Sequence, residues 1–316
     1  MLRARKQDFI SIVDAGKKIE ALINNALKLK NEARSRSGHM KSRPFRGKQV
    51  AMIFEKHSTR TRVSFEVACD HLGCNAIFLG SGELQLGRGE SIEDTGIVLS
   101  RYVDCIVYRA FEDAAVRRLA AAASVPVINA LDDMEHPCQA LADMMTIKEK
   151  FGKYRGLKMA YVGDGNNVCN SLMLACAILG MNFTAACPHG YEPPQSISQL
   201  AASISMDTKC RMEIIEDPKL AVKGADAIYT DVWTSMGQEK EANEREKVFS
   251  AYQVNRELVS GAKPGAIVMH CLPAHRGQEI TADVIDGQQS VVFEQAENRL
   301  HTEKAVLLWL LKGSTR

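Results

Sequence analysis

Phe54-Glu55-Lys56-His57-Ser58-Thr59-Arg60-Thr61-Arg62 follows the apolar run Val50-Ala51-Met52-Ile53 and leads into Val63, Phe65, Ala68 and Leu72 at helical spacing. A strand therefore turns into a helix here, with two arginines and three hydroxyl residues at the turn. The unsatisfied N–H groups of a helix start, with the positive end of its dipole, favour an anion. Forked guanidinium donors suit phosphate in the same way. The bland alternative is a helix capped by Ser58 or Thr59 beside two solvated arginines. The rest of the chain decides between them.

Outward from this turn the pattern alternates. Strand-like runs fall at Val50–Phe54, Ala76–Leu79, Cys105–Tyr108 and Val125–Asn129, separated by helical stretches such as Ala114–Ala123. An amphipathic helix with Ile19, Leu22, Ile23, Ala26 and Leu27 on one face precedes them. Leu141–Phe151 reads as a helix, and Lys153-Tyr154-Arg155-Gly156 as a polar break. A second series has strand candidates at Met159–Val162, Phe183–Ala186, Met212–Ile215, Ala227–Tyr229, Ile267–Met269 and Val291–Phe293. Continuous apolar strands are buried on both faces, which means parallel sheets covered by helices. The expected fold class is α/β, with two domains, each a central parallel sheet flanked by helices, and a substrate cleft between them. The expected domains are residues 1–152 and 153–299. A closing helix at about 300–316, with a dense apolar face from Glu303 to Leu311, is expected to pack back onto the first domain.

Bulk properties agree with this. A length of 316 residues suits about two domains. A hydrophobic content of 46% with 25% charged residues fits ordinary globular cores. The net charge of +2 argues against nucleic acid or an anionic membrane as partner, so any basic site must be local. The opening Met1–Asp8 runs into an amphipathic helix with no apolar signal core, and no run is long enough to span a bilayer. Nine scattered cysteines with no CxxC pair read as reduced thiols and a cytoplasmic location.

Further clusters stand at expected strand ends. In Glu135-His136-Pro137-Cys138-Gln139, Pro137 suits a first helical turn and leaves His136 near the cap, where a neutral imidazole could donate to a carbonyl oxygen. Gly163-Asp164-Gly165-Asn166-Asn167-Val168 resembles a dinucleotide-binding turn but carries Val168 in place of the third glycine, so the amides suit an amino-acid head group better. Asp231-Val232-Trp233-Thr234-Ser235-Met236-Gly237 offers a carboxylate for a substrate ammonium. His270-Cys271-Leu272-Pro273 offers a metal-ligand pair or an activated thiol. Adjacent residues on an extended chain point oppositely, which argues against joint ligation, and no second Cys/His pair suggests structural zinc. The polar run from Glu239 to Lys247 reads as a solvated segment.

Ser58-Thr59-Arg60-Thr61-Arg62 followed by His136-Pro137-Cys138-Gln139 resembles the carbamoyl-phosphate half of the aspartate and ornithine carbamoyltransferases. Asp231-x-x-x-Ser235-Met236-Gly237 and His270-Cys271-Leu272-Pro273 are similar to the ornithine-specific half, and the motif order agrees from about Gly47 to Leu311. The resemblance implies transfer of a carbamoyl group from carbamoyl phosphate to the δ-amine of L-ornithine, in a homotrimer or a multiple of trimers. It implies no metal and no organic cofactor. Ser58, Thr59, Arg60 and Thr61 would hold the phosphate, with Arg109 and Arg299 completing that site and Gln85 contributed by a neighbouring subunit. His136 and Gln139 would bind the carbamoyl group, with Cys271 and Leu272 beside it. Arg60, Arg109, His136 and Cys271 would serve the chemistry. Asn167, Asp231, Ser235 and Met236 would bind the amino-acid end of ornithine.

Other readings sit beside this one. Relatives acting on putrescine or on acetylated or succinylated ornithine are the nearest, and Ser235-Met236-Gly237 argues against them. An aspartate-specific enzyme must hold a second carboxylate, and no arginine-rich stretch replaces His270-Cys271-Leu272-Pro273. An NAD-dependent oxidoreductase would leave the serine-threonine-arginine turn unexplained. A catalytically dead regulatory paralogue conflicts with the polar set being intact.

Overall fold

A computed structural model describes residues 6–34, 43–80, 82, 89–234 and 241–312. The chain divides into two compact units, residues 1–145 with 297–316, and residues 146–296. Each contains a parallel sheet flanked by helices.

The first unit runs α1 (Ile19–Arg34), β1 (Gln49–Phe54), α2 (Thr59–Leu72), β2 (Asn75–Gly80), α3 (Ile92–Leu99), β3 (Cys105–Arg109), α4 (Asp113–Ala122), β4 (Val127–Leu131) and α5 (Pro137–Phe151) as far as Met145. Its sheet order is β2-β1-β3-β4, all parallel. β1 and β3 are buried along almost their whole length, as continuous apolar runs require of a doubly covered sheet. Tyr108, Ile53, Ile106, Val116 and Leu119 form part of the core between this sheet and α4. α2 ends at Gly73, whose φ of 83° is a left-handed cap that lets Cys74 N–H reach the Cys69 carbonyl.

The second unit adds β5 (Lys158–Val162), α6 (Asn167–Leu179), β6 (Asn182–Ala186), α7 (Gln195–Thr208), β7 (Met212–Ile215) and α8 (Pro218–Val222). It continues with β8 (Ala227–Thr230), α9 (Ala242–Phe249), α10 (Arg256–Ser260), β9 (Ile267–His270) and α11 (Ala282–Ile285), and ends in the first residues of α12 (Val292–Lys312). Its sheet order is β7-β6-β5-β8-β9, again parallel throughout. α6 is buried on nearly every side, which explains why its sequence is apolar all round.

Nine of the ten expected strands are present. The tenth, Val291–Phe293, is corrected: Val291 N–H makes one bond to the Val268 carbonyl, and helix α12 begins at the next residue. α12 starts well before the apolar face that announced it, because its first turns are polar yet buried. Gln295, Asn298, Arg299, Thr302 and Glu303 are all under 4% exposed. The boundary between units falls within α12, so Glu297 onward belongs to the first unit. There Lys30 on α1 donates to Asn298 Oδ1 at 2.7 Å, and Trp309 meets Phe9 edge-on at 6.0 Å.

Candidate active site

In the first unit the chain leaves β1 toward β2 on one side and returns as β3 on the other. The carboxyl ends of β1 and β3 thus flank the switch point, where open α/β sheets bind ligands. β1 leads to Ser58, the N-cap of α2, whose hydroxyl accepts from Thr61 N–H at 3.3 Å. β3 ends at Arg109, which is buried and paired in register with Phe54. Glu55 holds the two ends together. Its carboxylate accepts from the Tyr108 hydroxyl and the Phe111 N–H, each at 2.7 Å, while Glu55 N–H donates to the Arg109 carbonyl.

The two arginines of the opening turn separate. Arg62 lies over the Phe78 ring at 3.7 Å and donates to Glu66, leaving the capping region. Arg60 stands in the first turn of α2, and its charge reaches His136. His136 is buried immediately before Pro137, the first residue of α5. Burial, reinforced by Arg299, Arg109 and Arg60, drives its pKa well below the usual histidine value, so the ring is neutral.

Arg299 on α12 ties this region together. It donates to Gln139 Oε1 at 2.8 Å, to Thr61 Oγ1 at 3.1 Å and to Glu303 Oε1 at 2.8 Å. Gln139 in turn donates to Asp143 at 2.8 Å. Burial raises Glu303 to about 7 against the lowering influence of Arg299. Thr59, at the first position of α2, is exposed. Gln85 lies outside the described residues. A helix N-terminus, three guanidinium groups and a neutral imidazole can together hold a phosphate and polarise a carbonyl.

In the second unit the switch point lies between β5 and β8. Asp231 follows β8 and is buried, with both oxygens engaged. Oδ1 accepts from Val232 N–H at 2.8 Å and from the Cys271 thiol at 2.9 Å, and Oδ2 accepts from Asn166 Nδ2 at 2.8 Å. The thiol of Cys271 is thus a donor in this arrangement. Asn166 also caps α6, its Oδ1 accepting from Val168 and Cys169 N–H. Asn167, the residue singled out from sequence, is half-buried at the first position of α6. Asn166 was missed because two consecutive amides look alike until the helix start is fixed. Ser235 and Met236 lie outside the described residues.

The expectation that His270 and Cys271 point apart is corrected. β9 ends at His270, the chain then bends through Leu272 at φ 59°, and Asp231, His270 and Cys271 bring one possible ligand atom each within 4.8 Å. His270, however, has both ring nitrogens occupied: Nδ1 accepts from Leu272 N–H at 2.9 Å and Nε2 meets Glu279 at 3.1 Å. The ring braces the Cys271–Leu272 bend, and a cation would have to break one of those bonds.

The polar run taken as solvated is corrected as well. α9 buries Arg245 together with Phe249, one helical turn apart. Arg245 pairs with Asp164 in the Gly163–Gly165 turn and donates to the Trp233 carbonyl.

Comparison with known proteins places these features. The family model described as "Aspartate/ornithine carbamoyltransferase, carbamoyl-P binding domain" matches residues 7–149, and "Aspartate/ornithine carbamoyltransferase, Asp/Orn binding domain" matches residues 155–310. The chain is 57% identical over 276 residues to an ornithine carbamoyltransferase of Methanothermobacter thermautotrophicus, covering 87% of this chain and 91% of that protein. It is 52% identical to a catabolic ornithine carbamoyltransferase of Thermoplasma volcanium, covering 97% and 99%. The solved ornithine carbamoyltransferase of Pyrococcus furiosus superposes with a TM-score of 0.94 at 51% identity, covering 98% of both chains.

Proposed function

The chain belongs to the aspartate/ornithine carbamoyltransferase family, and we propose that it transfers the carbamoyl group of carbamoyl phosphate to the δ-amine of L-ornithine, giving L-citrulline and phosphate in arginine metabolism. Relatives more than half identical to it carry the ornithine carbamoyltransferase name. The observation that carries the reading is Arg299, whose guanidinium donates both to Gln139, three residues after the buried His136, and to Thr61 in the first turn of α2.

On this reading Ser58, Thr59, Arg60 and Thr61 grip the phosphate with N–H, hydroxyl and guanidinium donors. Arg109 and Arg299 complete the grip, and Gln85 of a neighbouring subunit adds to it. His136 and Gln139 bind the carbamoyl oxygen and nitrogen. Attack on the carbonyl carbon puts negative charge on its oxygen, and Arg60, Arg109, Thr61 and His136 are donors suited to that charge. The neutral state of His136 lets its ring donate without adding a competing proton source. Arg60 and Arg109 also stabilise the departing phosphate. An acyl phosphate is already activated, so the step needs neither a covalent enzyme intermediate nor a cofactor.

The acceptor amine attacks only when neutral, although an alkyl ammonium loses its proton near pH 10. Neighbouring cations and removal from water lower that value. Asn167, Asp231, Ser235 and Met236 hold the amino-acid end, while Cys271 and Leu272 border the group in transfer. The nine free cysteines suit a cytoplasmic setting, and the trimer of the resembled family suits the role given to Gln85. A colorimetric citrulline assay comparing ornithine, putrescine, N-acetylornithine and aspartate tests the reading. Ornithine should be the preferred acceptor; preference for any other would overturn it.

A further inference from the structure

α9 exposes five of its eight residues, half-buries Ala242 and buries only Arg245 and Phe249. A guanidinium is a costly group to bury, so its partners indicate what it holds. Arg245 is 4% exposed and forms an ion pair with Asp164 through Nη2. Its Nε donates to the Trp233 carbonyl at 2.5 Å. The planar group lies over Tyr191 at 4.9 Å and Phe249 at 5.1 Å, which fixes its orientation.

Those partners belong to the two segments that carry the candidate acceptor-binding groups. Asp164 sits in the turn after β5, two residues before Asn166, which orients Asp231. Gly165 in the same turn packs so closely against the Pro193 backbone that a Cβ there would come within 2.3 Å, so the turn has one seat. Trp233 lies two residues after Asp231 on the segment leaving β8. We propose that Arg245, paired with Asp164, is a positioning residue for the acceptor amino acid, holding the Asn166 turn and the Asp231–Trp233 backbone in one fixed relation.

An apolar pair of similar volume commonly matches or exceeds a buried ion pair in stability. What the ion pair adds here is geometry: one rigid fork reaches a carboxylate and a carbonyl on two separate strand ends. A lysine, with a single ammonium, cannot reproduce that fork.

This inference rests on the ornithine reading, and the test separates the two. Wild-type citrulline formation from ornithine is the control; its absence would sink the parent reading alone. Steady-state KM values for ornithine and for carbamoyl phosphate are then measured in Arg245→Lys and in Arg245→Met/Asp164→Asn, along with the dissociation constant of L-norvaline, which is ornithine without its δ-amine. The expected result is an ornithine KM and a norvaline dissociation constant raised at least about tenfold, with the carbamoyl-phosphate KM within about twofold of wild type. Unchanged ornithine and norvaline constants in either folded variant would overturn the proposal. So would a parallel loss for both substrates that follows a fall in melting temperature, since that is what a merely structural strut would give. Arg245→Lys keeps the charge and the volume, so it guards against a double variant that fails to fold.

Discussion

In the proposed chemistry His136 serves as a neutral ring, and the surroundings that keep it neutral make it a stability liability at low pH. Its pKa lies well below 6.5 in the folded chain, through burial and then through Arg299, Arg109 and Arg60. As pH falls through about 6.5 the unfolded chain takes up a proton that the native chain refuses, so native stability declines with falling pH. His136→Gln should therefore lose less stability than the wild type between about pH 7 and pH 5, as read by urea unfolding at each pH. Equal losses would contradict the neutral ring. Arg60 contributes to that field and stands at the start of α2. Arg60→Ala should cost on the order of 3 kcal/mol in transition-state stabilisation, about a hundredfold or more in turnover. It should also raise the pH at which His136 titrates, observable in the histidine ring resonances by NMR. Near-normal turnover would remove Arg60 from the phosphate grip. Asp231→Ala should weaken ornithine far more than carbamoyl phosphate, and an equal loss of both would contradict the division of labour.

α12 shows how an element can hide its role. Its buried first turns carry polar groups matched to α1, α2 and α5, so the amphipathic pattern that identifies a helix appears only from Glu303 onward. Removing one partner of a buried ion pair strands the other. Arg299→Ala should cost about 3–5 kcal/mol in unfolding free energy, toward the lower end because Glu303, already raised to about 7, can take a proton. Arg299→Ala/Glu303→Ala should be more stable than Arg299→Ala alone, because the buried carboxyl that has lost its cation and keeps Ser64 as a hydrogen-bond partner is gone; urea midpoints compare them directly. The reverse order would mean that Glu303 is supported by other groups. The strands were legible because doubly covered parallel strands are continuous apolar runs, and nine lie close to where the runs placed them. The positions of the motif stretches were legible because each follows an apolar strand run, and Ser58, Arg109, Asn167, Asp231 and Cys271 all lie just at or after a strand end. Asn166, Glu55 and Arg245 were not legible from sequence. Each acts through a hydrogen-bond partner distant along the chain, and in isolation each looks like an ordinary cap or solvated charge.

At the scale of the whole molecule, both units use one device. Each presents candidate site residues from the carboxyl ends of the two strands that flank its switch point, β1 and β3 in one and β5 and β8 in the other. Helix starts at Ser58 and Asn166 add oriented N–H groups at those same ends. This distribution places Arg60 on one unit and Asp231 on the other, so neither unit alone holds the full proposed set. The proposed trimer extends the principle, because Gln85 would serve a site on the next chain. Arg60→Ala and Gln85→Ala chains should each be nearly inactive alone. If they are dissociated, mixed and reassembled at equal amounts, a site is intact when its own chain carries Arg60 and its neighbour carries Gln85. In a closed ring of three that combination arises at about a quarter of the sites, so activity should recover to about a quarter of wild type. The mixed species must be verified by native mass spectrometry on chains of distinguishable mass. No recovery in verified hybrids would place Gln85 and Arg60 in the same chain's site. Recovery near a quarter would tie catalysis to assembly, so that agents which split the oligomer would abolish turnover without unfolding either unit.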